Sequence, residues 1–406
     1  MALGCPLVSR LDHRYTIGAS YVAYVVQAIV NNLGPLLFVI WHDSFGVSLA
    51  RLGSIVGLNF GMQLVIDFCS ARIIDLIGYR AAMVIAHVAA TIGVAGMGWF
   101  PFVMSDPYAG LLVAMAIAAV GGGLLEVLIS PVVEACPTEN KAFHMSLLHS
   151  FYSWGQLAVV LLTTAGFAVF GIASWRIVCF CWAVVPLANA VLLWFVPYYE
   201  LVTDGVSMSY RQLFSRPLFW GFIVLMLAAG ASEQSMSQWA STFAQTGLGL
   251  SKTVGDLLGP MLFALCMGSS RVIFGARATT ATLSRTVRVC AVLCIVAYLL
   301  AILAPLPWLG LAGMALCGFS VGIFWPGTFS LASEAFPRGG TALFALLALG
   351  GDAGCALGPD LVGHVADHFG SLSTGLLVGL AFPVIILTVT TAVRADDRRS
   401  PATARA

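Results

Sequence analysis

Twelve apolar runs, each long enough to cross a bilayer as a helix, occupy almost the whole of this chain. They lie at 15–40, 49–69, 81–102, 108–133, 145–170, 174–196, 218–243, 254–276, 286–304, 308–333, 341–365 and 371–393. A hydrocarbon core takes about 20 residues of helix to span. Inside it every backbone N–H and C=O must find a partner within the protein, which leaves helices and closed barrels as the spanning structures. The expected fold class is therefore an all-α membrane protein with twelve transmembrane helices. Composition agrees: the 406 residues are 60% hydrophobic and only 9% charged, against about a quarter charged in soluble domains.

The runs fall into two halves. Glu134-Ala135-Cys136-Pro137 closes the fourth run and Glu334-Ala335-Phe336-Pro337 closes the tenth. Gly46-Val47-Ser48 enters the second, and Gly249-Leu250-Ser251 enters the eighth. Echoes in the same direction at half the chain length read as parallel repeats around a central path. The expected organisation is an N-terminal six-helix bundle at 1–197, a linker at 198–217, a second six-helix bundle at 218–393 and a tail at 394–406. With both termini cytoplasmic, sixteen of the 19 Lys and Arg residues fall on the inner side, and Arg51, Arg176 and Lys252 on the outer. That asymmetry follows the positive-inside rule and supports the even helix count. The polar start, Met1 to Arg14, has no cleavable-signal pattern.

Several function classes are disfavoured. A net charge of +1 suggests no nucleic-acid partner. The ten cysteines form no ligand spacing with His, and most lie in apolar runs, where they read as small packing residues. No phosphate-binding Gly-x-x-x-x-Gly-Lys-Ser/Thr loop occurs. No soluble domain is large enough to hold a catalytic constellation. The chain is expected to be no enzyme, and to need no cofactor or metal.

The loop after the second run reads Ala71-Arg72-Ile73-Ile74-Asp75-Leu76-Ile77-Gly78-Tyr79-Arg80. It resembles the major facilitator signature Gly-x-x-x-Asp-x-x-Gly-Arg-Lys, keeping Asp75, Gly78 and Arg80, with Ala71 and Tyr79 as departures. Trp175-Arg176 at the start of the sixth helix fits the same superfamily. Within it, the chain is most similar to the fucose permease-like sugar:proton symporters. The stretches that carry this likeness are Asn31-Asn32-Leu33, Gly123-Leu124-Leu125-Glu126, Leu147 to Gly155 and Trp325 to Leu331. In those symporters a helix-four Glu and a helix-one Asp line the transport path. The resemblance places that Glu at Glu126, while Pro35 stands where the Asp would be. Helix five lacks the Gly-x-x-x-Gly-Pro run of drug/proton antiporters.

The residues themselves point to a polar path. An ionised group at mid-membrane is costly and usually faces a cavity. Burial favours a neutral carboxyl, so Glu126 is the expected proton carrier; the structural alternative is a neutral Glu bonded between helices. Glu233 in helix seven and Asp352 in helix eleven are candidates to replace the missing acid, and His149 in helix five is a candidate relay. Asp352 could equally be bonded to backbone within a packed crossing. Gln27, Asn31 and Asn32 in helix one, Trp154 in helix five, and Gln234, Gln238 and Trp239 in helix seven form the expected binding set. Amides bond hydroxyls, and an indole covers an apolar sugar face. Polar glue between helices is the competing reading. Asp67, Arg72, Asp75, Gly78, Arg80, Glu134, Arg271 and Glu334 are expected to form a cytoplasmic gating network; substrate binding is the alternative for Asp67, and a plain solvated helix end for Glu134 and Glu334.

The function expected is secondary active transport of a small neutral hydroxylated solute, a sugar above all, by proton symport and alternating access. The alternatives are an exporter or antiporter of an amphipathic compound, and a non-transporting sensor with the same fold. The expected partners are the solute, H⁺ and the lipid bilayer, with the chain a monomer in the cell's inner or plasma membrane. The short basic tail reads as an anionic-lipid contact.

Overall fold

The computed structural model of the protein describes residues 11–138, 141–199, 208–277, 280–303 and 305–399; the side chains of Arg72, Asp75 and His149, all named above, lie outside the described residues. The described residues are helical, with no strand among them. Twelve helices are long and apolar enough to span a membrane: α1 (His13–Phe45), α2 (Leu49–Cys69), α3 (Leu76–Met97), α4 (Pro107–Ala135), α5 (Ser150–Phe170), α6 (Ile172–Phe195), α7 (Pro217–Gly247), α8 (Lys252–Phe274), α9 (Leu283–Leu303), α10 (Pro307–Ala335), α11 (Ala342–Phe369) and α12 (Leu372–Ala392). The expected fold class is what the chain forms.

Local chemistry sets the helix ends. Asp12 caps α1 by accepting from the Arg14 N–H at 2.9 Å, and Gly46 ends it in the left-handed region. Near the start of α3 the chain bends at Gly78, with φ 75° and ψ 160°. An L side chain rarely adopts that conformation, and here the signature glycine is the hinge itself. In the linker, Ser209 and Gln212 form a reciprocal cap on the short helix Tyr210–Phe214.

The chain divides into two compact units: Met1–Val47 with Leu58–Thr203, and Ser48–Gly57 with Asp204–Ala406. The first turns of α2 group with the second unit because Gly53 lies against the Pro359 carbonyl and Gly57 against the Asp360 side chain.

Unit 1 is built around α1, whose Val26, Ile29, Leu33, Leu37, Phe38 and Trp41 are buried. It packs on α4 and α5. Gly155 of α5 permits the closest approach: a Cβ there would come 2.9 Å from that of Ala28. Unit 2 repeats the scheme, with α7 on α10 and α11. Its counterpart is Gly354, where a Cβ would meet the backbone of Leu227 and come 2.9 Å from the Ala231 nitrogen. Without a hydrophobic force between helices in lipid, small residues at crossings supply the packing.

Several spans are broken, α7 and α10 among them. In α7 the helix runs Pro217–Ser237, turns at Gln238 and Trp239, resumes at Ala240–Thr242 and ends in a π turn, Phe243–Gly247. In α10 the break lies between Val321 and Phe324. Such breaks are tolerated at membrane depth where protein or a wet cavity covers them.

Candidate functional site

In unit 1, polar side chains from α1, α2, α4 and α5 meet in one cluster. Tyr24, Gln27 and Asn31 recur at intervals of three and four, so they share a face of α1. Asn59, Gln63 and Asp67 recur at intervals of four on α2. Asn31 joins the two helices: its Oδ1 accepts from Asn59 Nδ2 at 3.0 Å and from Gln63 Nε2 at 2.8 Å. Its Nδ2 donates to the Tyr152 hydroxyl on α5 at 3.4 Å. Gln27 Nε2 donates to Glu126 Oε2 on α4 at 3.0 Å. The Tyr24 and Ser130 hydroxyls lie 3.4 Å apart.

Gln27, Asn31, Asn59 and Gln63 are buried, and Glu126 and Asp67 are half-buried. The carboxylates of Asp67 and Glu126 approach within 4.8 Å of each other. Three buried amide oxygens, Gln27 Oε1, Asn59 Oδ1 and Gln63 Oε1, accept no hydrogen bond from the described residues. An unmet buried acceptor is costly, so the cluster is set to receive donors.

Unit 2 carries a second polar run, on α7. Gln238 Nε2 donates to Gln234 Oε1 at 2.8 Å, and Gln234 Nε2 donates to Glu233 Oε1 at 3.3 Å. Glu233 Oε2 pairs with Arg271 Nη2 of α8 at 3.4 Å. This ladder ends where α7 breaks, and helix irregularities of this kind are frequent at functional sites. Asp352 is buried on α11 beside glycines whose neighbours are Ile223, Trp325 and Leu227.

The structure redistributes several expected roles. Arg271 is not part of a loop network; it reaches the buried Glu233, because a long guanidinium stem can carry its charge into the bundle. Trp239 is fully enclosed, and its indole N–H donates to the Pro359 carbonyl at 3.0 Å, so it packs α7 on α11 and offers no ring face. Trp154 is 59% exposed, unlike the buried amides of unit 1. Asn32 turns its amide back onto the Ala28 carbonyl of its own helix at 2.9 Å. Asp67 lies beside Glu126 rather than in a loop network.

Among the expected network residues, Arg80 donates to the Trp194 carbonyl and lies over the Tyr198 ring, 5.0 Å from its centre. Burial pushes the Tyr198 phenol above its ordinary range, and the Arg80 charge opposes that rise. Glu134 is half-buried at the end of α4. Glu334 is exposed, with no ion pair among the described residues.

Two features escaped the sequence reading. Asn59, Gln63 and Tyr152 complete the unit 1 cluster; the i,i+4 amide pair on an otherwise apolar helix was the signal available. At the start of α8, Lys252 Nζ lies 2.8 Å from Asp256 Oδ2, and the Ser241 hydroxyl of α7 donates to Asp256 Oδ1. The side chains of Lys252 and Asp256 are 7% and 0% exposed. In sequence, Lys252 reads only as an outer-side charge. A separate cleft of about 670 Å³ lies at the start of α1, lined by His13, Arg14, Tyr21 and His144 among others. The Tyr21 hydroxyl and His144 Nδ1 are 2.7 Å apart there.

Comparison with known proteins agrees with this architecture. Residues 20–359 match the family model of the Major Facilitator Superfamily. A curated relative, an uncharacterized MFS-type transporter of Bacillus subtilis (strain 168) called YttB, is 22% identical over 384 residues, covering 90% of this chain and 91% of the relative. A bacterial homologue of the human lysosomal transporter Spinster, in an inward-facing and unoccupied conformation, matches with a TM-score of 0.73 at 15% identity, over 96% of this chain and 99% of that one. The E. coli fucose:proton symporter FucP matches with a TM-score of 0.60 at 16% identity, over 93% and 98%. At these identities the structural likeness speaks to the fold.

Proposed function

We propose that this chain, which belongs to the Major Facilitator Superfamily, carries a small neutral hydroxylated solute, of the sugar class, in symport with protons. As a member of that superfamily it is a multi-pass membrane transporter of a small molecule. The cargo class and the coupling ion are our reading of the residues. The observation that carries it is the set of unmet amide oxygens on Gln27, Asn59 and Gln63. Hydroxyl groups are donors of the right size to satisfy them, and a neutral cargo adds no charge to a half-buried, acid-bearing cluster. The Gln234–Gln238 ladder supplies amides of the same kind in the second unit.

Glu126 is the carboxyl that titrates in this scheme. Its Oε2 accepts from the neutral Gln27 amide, whereas Glu233 lies 3.4 Å from the Arg271 guanidinium. A proton taken up by Glu126 removes a charge from the membrane interior, which favours movement of the loaded carrier. Asp352 remains a second candidate on α11, and the likeness to a fucose:proton symporter supports the same class of chemistry. We place the protein in the cell membrane as a monomer with both termini cytoplasmic.

The test is flux in proteoliposomes. Glu126→Gln should abolish uptake driven by a pH gradient while counterflow exchange of the same sugar continues. Gradient-driven uptake that survives unchanged would remove the proton role.

A further inference from the structure

We propose that the groove between α9 and α12 in unit 2 binds one anionic phospholipid, with its headgroup on Arg285 and Arg288 and an acyl chain along Val289, Val292, Leu293 and Leu387. The site needs no assumption about the cargo.

The groove measures about 320 Å³, and those six side chains line it. Its charged and apolar parts are sorted along α9. Residues 285, 288, 289 and 292 recur at intervals of three and four, so they share one helical face. The span begins at Leu283, which puts Arg285 and Arg288 in its first two turns, at the edge of the hydrocarbon. Val289 and Val292, 52% and 47% exposed, carry the same face deeper. Leu387 supplies a wall from α12.

Charge selects the occupant. Arg285 is exposed and makes no ion pair among the described residues. Arg288 is half-buried, and its Nε donates to the Ser284 carbonyl at 3.3 Å. That bond turns the guanidinium back toward the start of the helix and away from the hydrocarbon. Two cations three residues apart on one face repel each other, and a shared anion removes the repulsion. A guanidinium fork matches phosphate oxygens, and basic sites at a membrane surface recognise anionic headgroups. Free phosphate would meet the arginines and leave the valine and leucine walls bare. A neutral hydrocarbon would fill the walls and bring nothing to the two cations. An amphiphile with net negative charge does both. Because α9 and α12 pack on each other, a lipid seated in their seam ties both helices to the bilayer.

The test uses the full-length protein in mild detergent. Native mass spectrometry counts the lipid retained after addition of phosphatidylglycerol or phosphatidylcholine. One phosphatidylglycerol per chain should be retained in preference to phosphatidylcholine. Arg285→Gln and Arg288→Gln should each lower that preference about fivefold, the effect of one basic side chain near a membrane surface. Val289→Trp, which fills the groove and keeps both charges, should also cut retention. Arg216→Gln, at an exposed arginine elsewhere, should leave it unchanged. If a variant does not fold, competition on the wild type decides. Equal retention of the two lipids overturns the site, as does displacement of phosphatidylglycerol by inorganic phosphate at the same concentration. Retention unchanged in both arginine variants overturns it too. So does a dimer that Val289→Trp breaks, which would give the groove to a second copy of the chain. None of these readouts involves sugar flux, so failure here leaves the proposed function standing, and failure of sugar flux leaves this site standing.

Discussion

Glu233 and Arg271 form a salt bridge at 3.4 Å inside the second unit, with the carboxylate side chain 7% exposed and the guanidinium side chain 31% exposed. The two partners are therefore unequal. Removing the arginine leaves an enclosed carboxylate with only the Gln234 amide, while removing the acid leaves a cation that reaches solvent or headgroups.

That inequality gives the first prediction. Arg271→Ala should lower thermal stability more than Glu233→Gln, by about 1–3 kcal/mol for the orphaned carboxylate. Thermal unfolding in detergent reads both, and the reverse order would show that Glu233 does not depend on this partner.

Asn31 holds two amide donors on one oxygen. Asn31→Leu keeps the branched shape and orphans Asn59 Nδ2 and Gln63 Nε2, so stability should fall by about 1–3 kcal/mol. Sugar-induced stabilisation should also shrink, since the α1–α2 amides lose their alignment. A variant with wild-type melting and wild-type sugar response would take Asn31 out of the cluster.

Lys252 and Asp256 are paired where α8 begins. Breaking a buried pair by removing one partner costs about 3–5 kcal/mol, whereas replacing both with apolar groups is often neutral. Lys252→Met and Asp256→Leu should each destabilise strongly, and the double variant should recover most of the loss. Additive losses in the double-mutant cycle would contradict a direct pairing.

Gly78 has open space where a Cβ would stand, so any penalty there comes from the backbone alone. Gly78→Ala should cost about 1–3 kcal/mol, seen as a lower melting temperature, with the Trp194 and Tyr198 contacts of Arg80 disturbed two residues away. A neutral effect would mean that the bend at the start of α3 relaxes freely.

Much of this protein could be read from its residues in order. Helix number and class follow from run length, because a bilayer leaves few other ways to bury a backbone. The match between Gly155 in α5 and Gly354 in α11 continues the echo seen in the closing Glu-Ala-x-Pro segments. Glu126, Gln27 and Asn31 were named from their position in an apolar context, and they do lie together. Trp239 and Arg271 were not legible in that way. An indole at a helix break can stack on a cargo or donate to a neighbouring carbonyl, and an arginine near a helix end can point to a loop or back into the bundle. The choice depends on which acceptor lies within reach across a helix crossing.

The sequence alone determined that the chain spans a membrane twelve times with acids and amides at depth, since hydrophobicity and spacing are local properties of a chain in order. Tertiary structure decided which of those groups touch. Asn31 with Gln63, Asp67 with Glu126 and Lys252 with Asp256 are set by rotation and approach of whole helices, and a few degrees of rotation would give each acid a different partner.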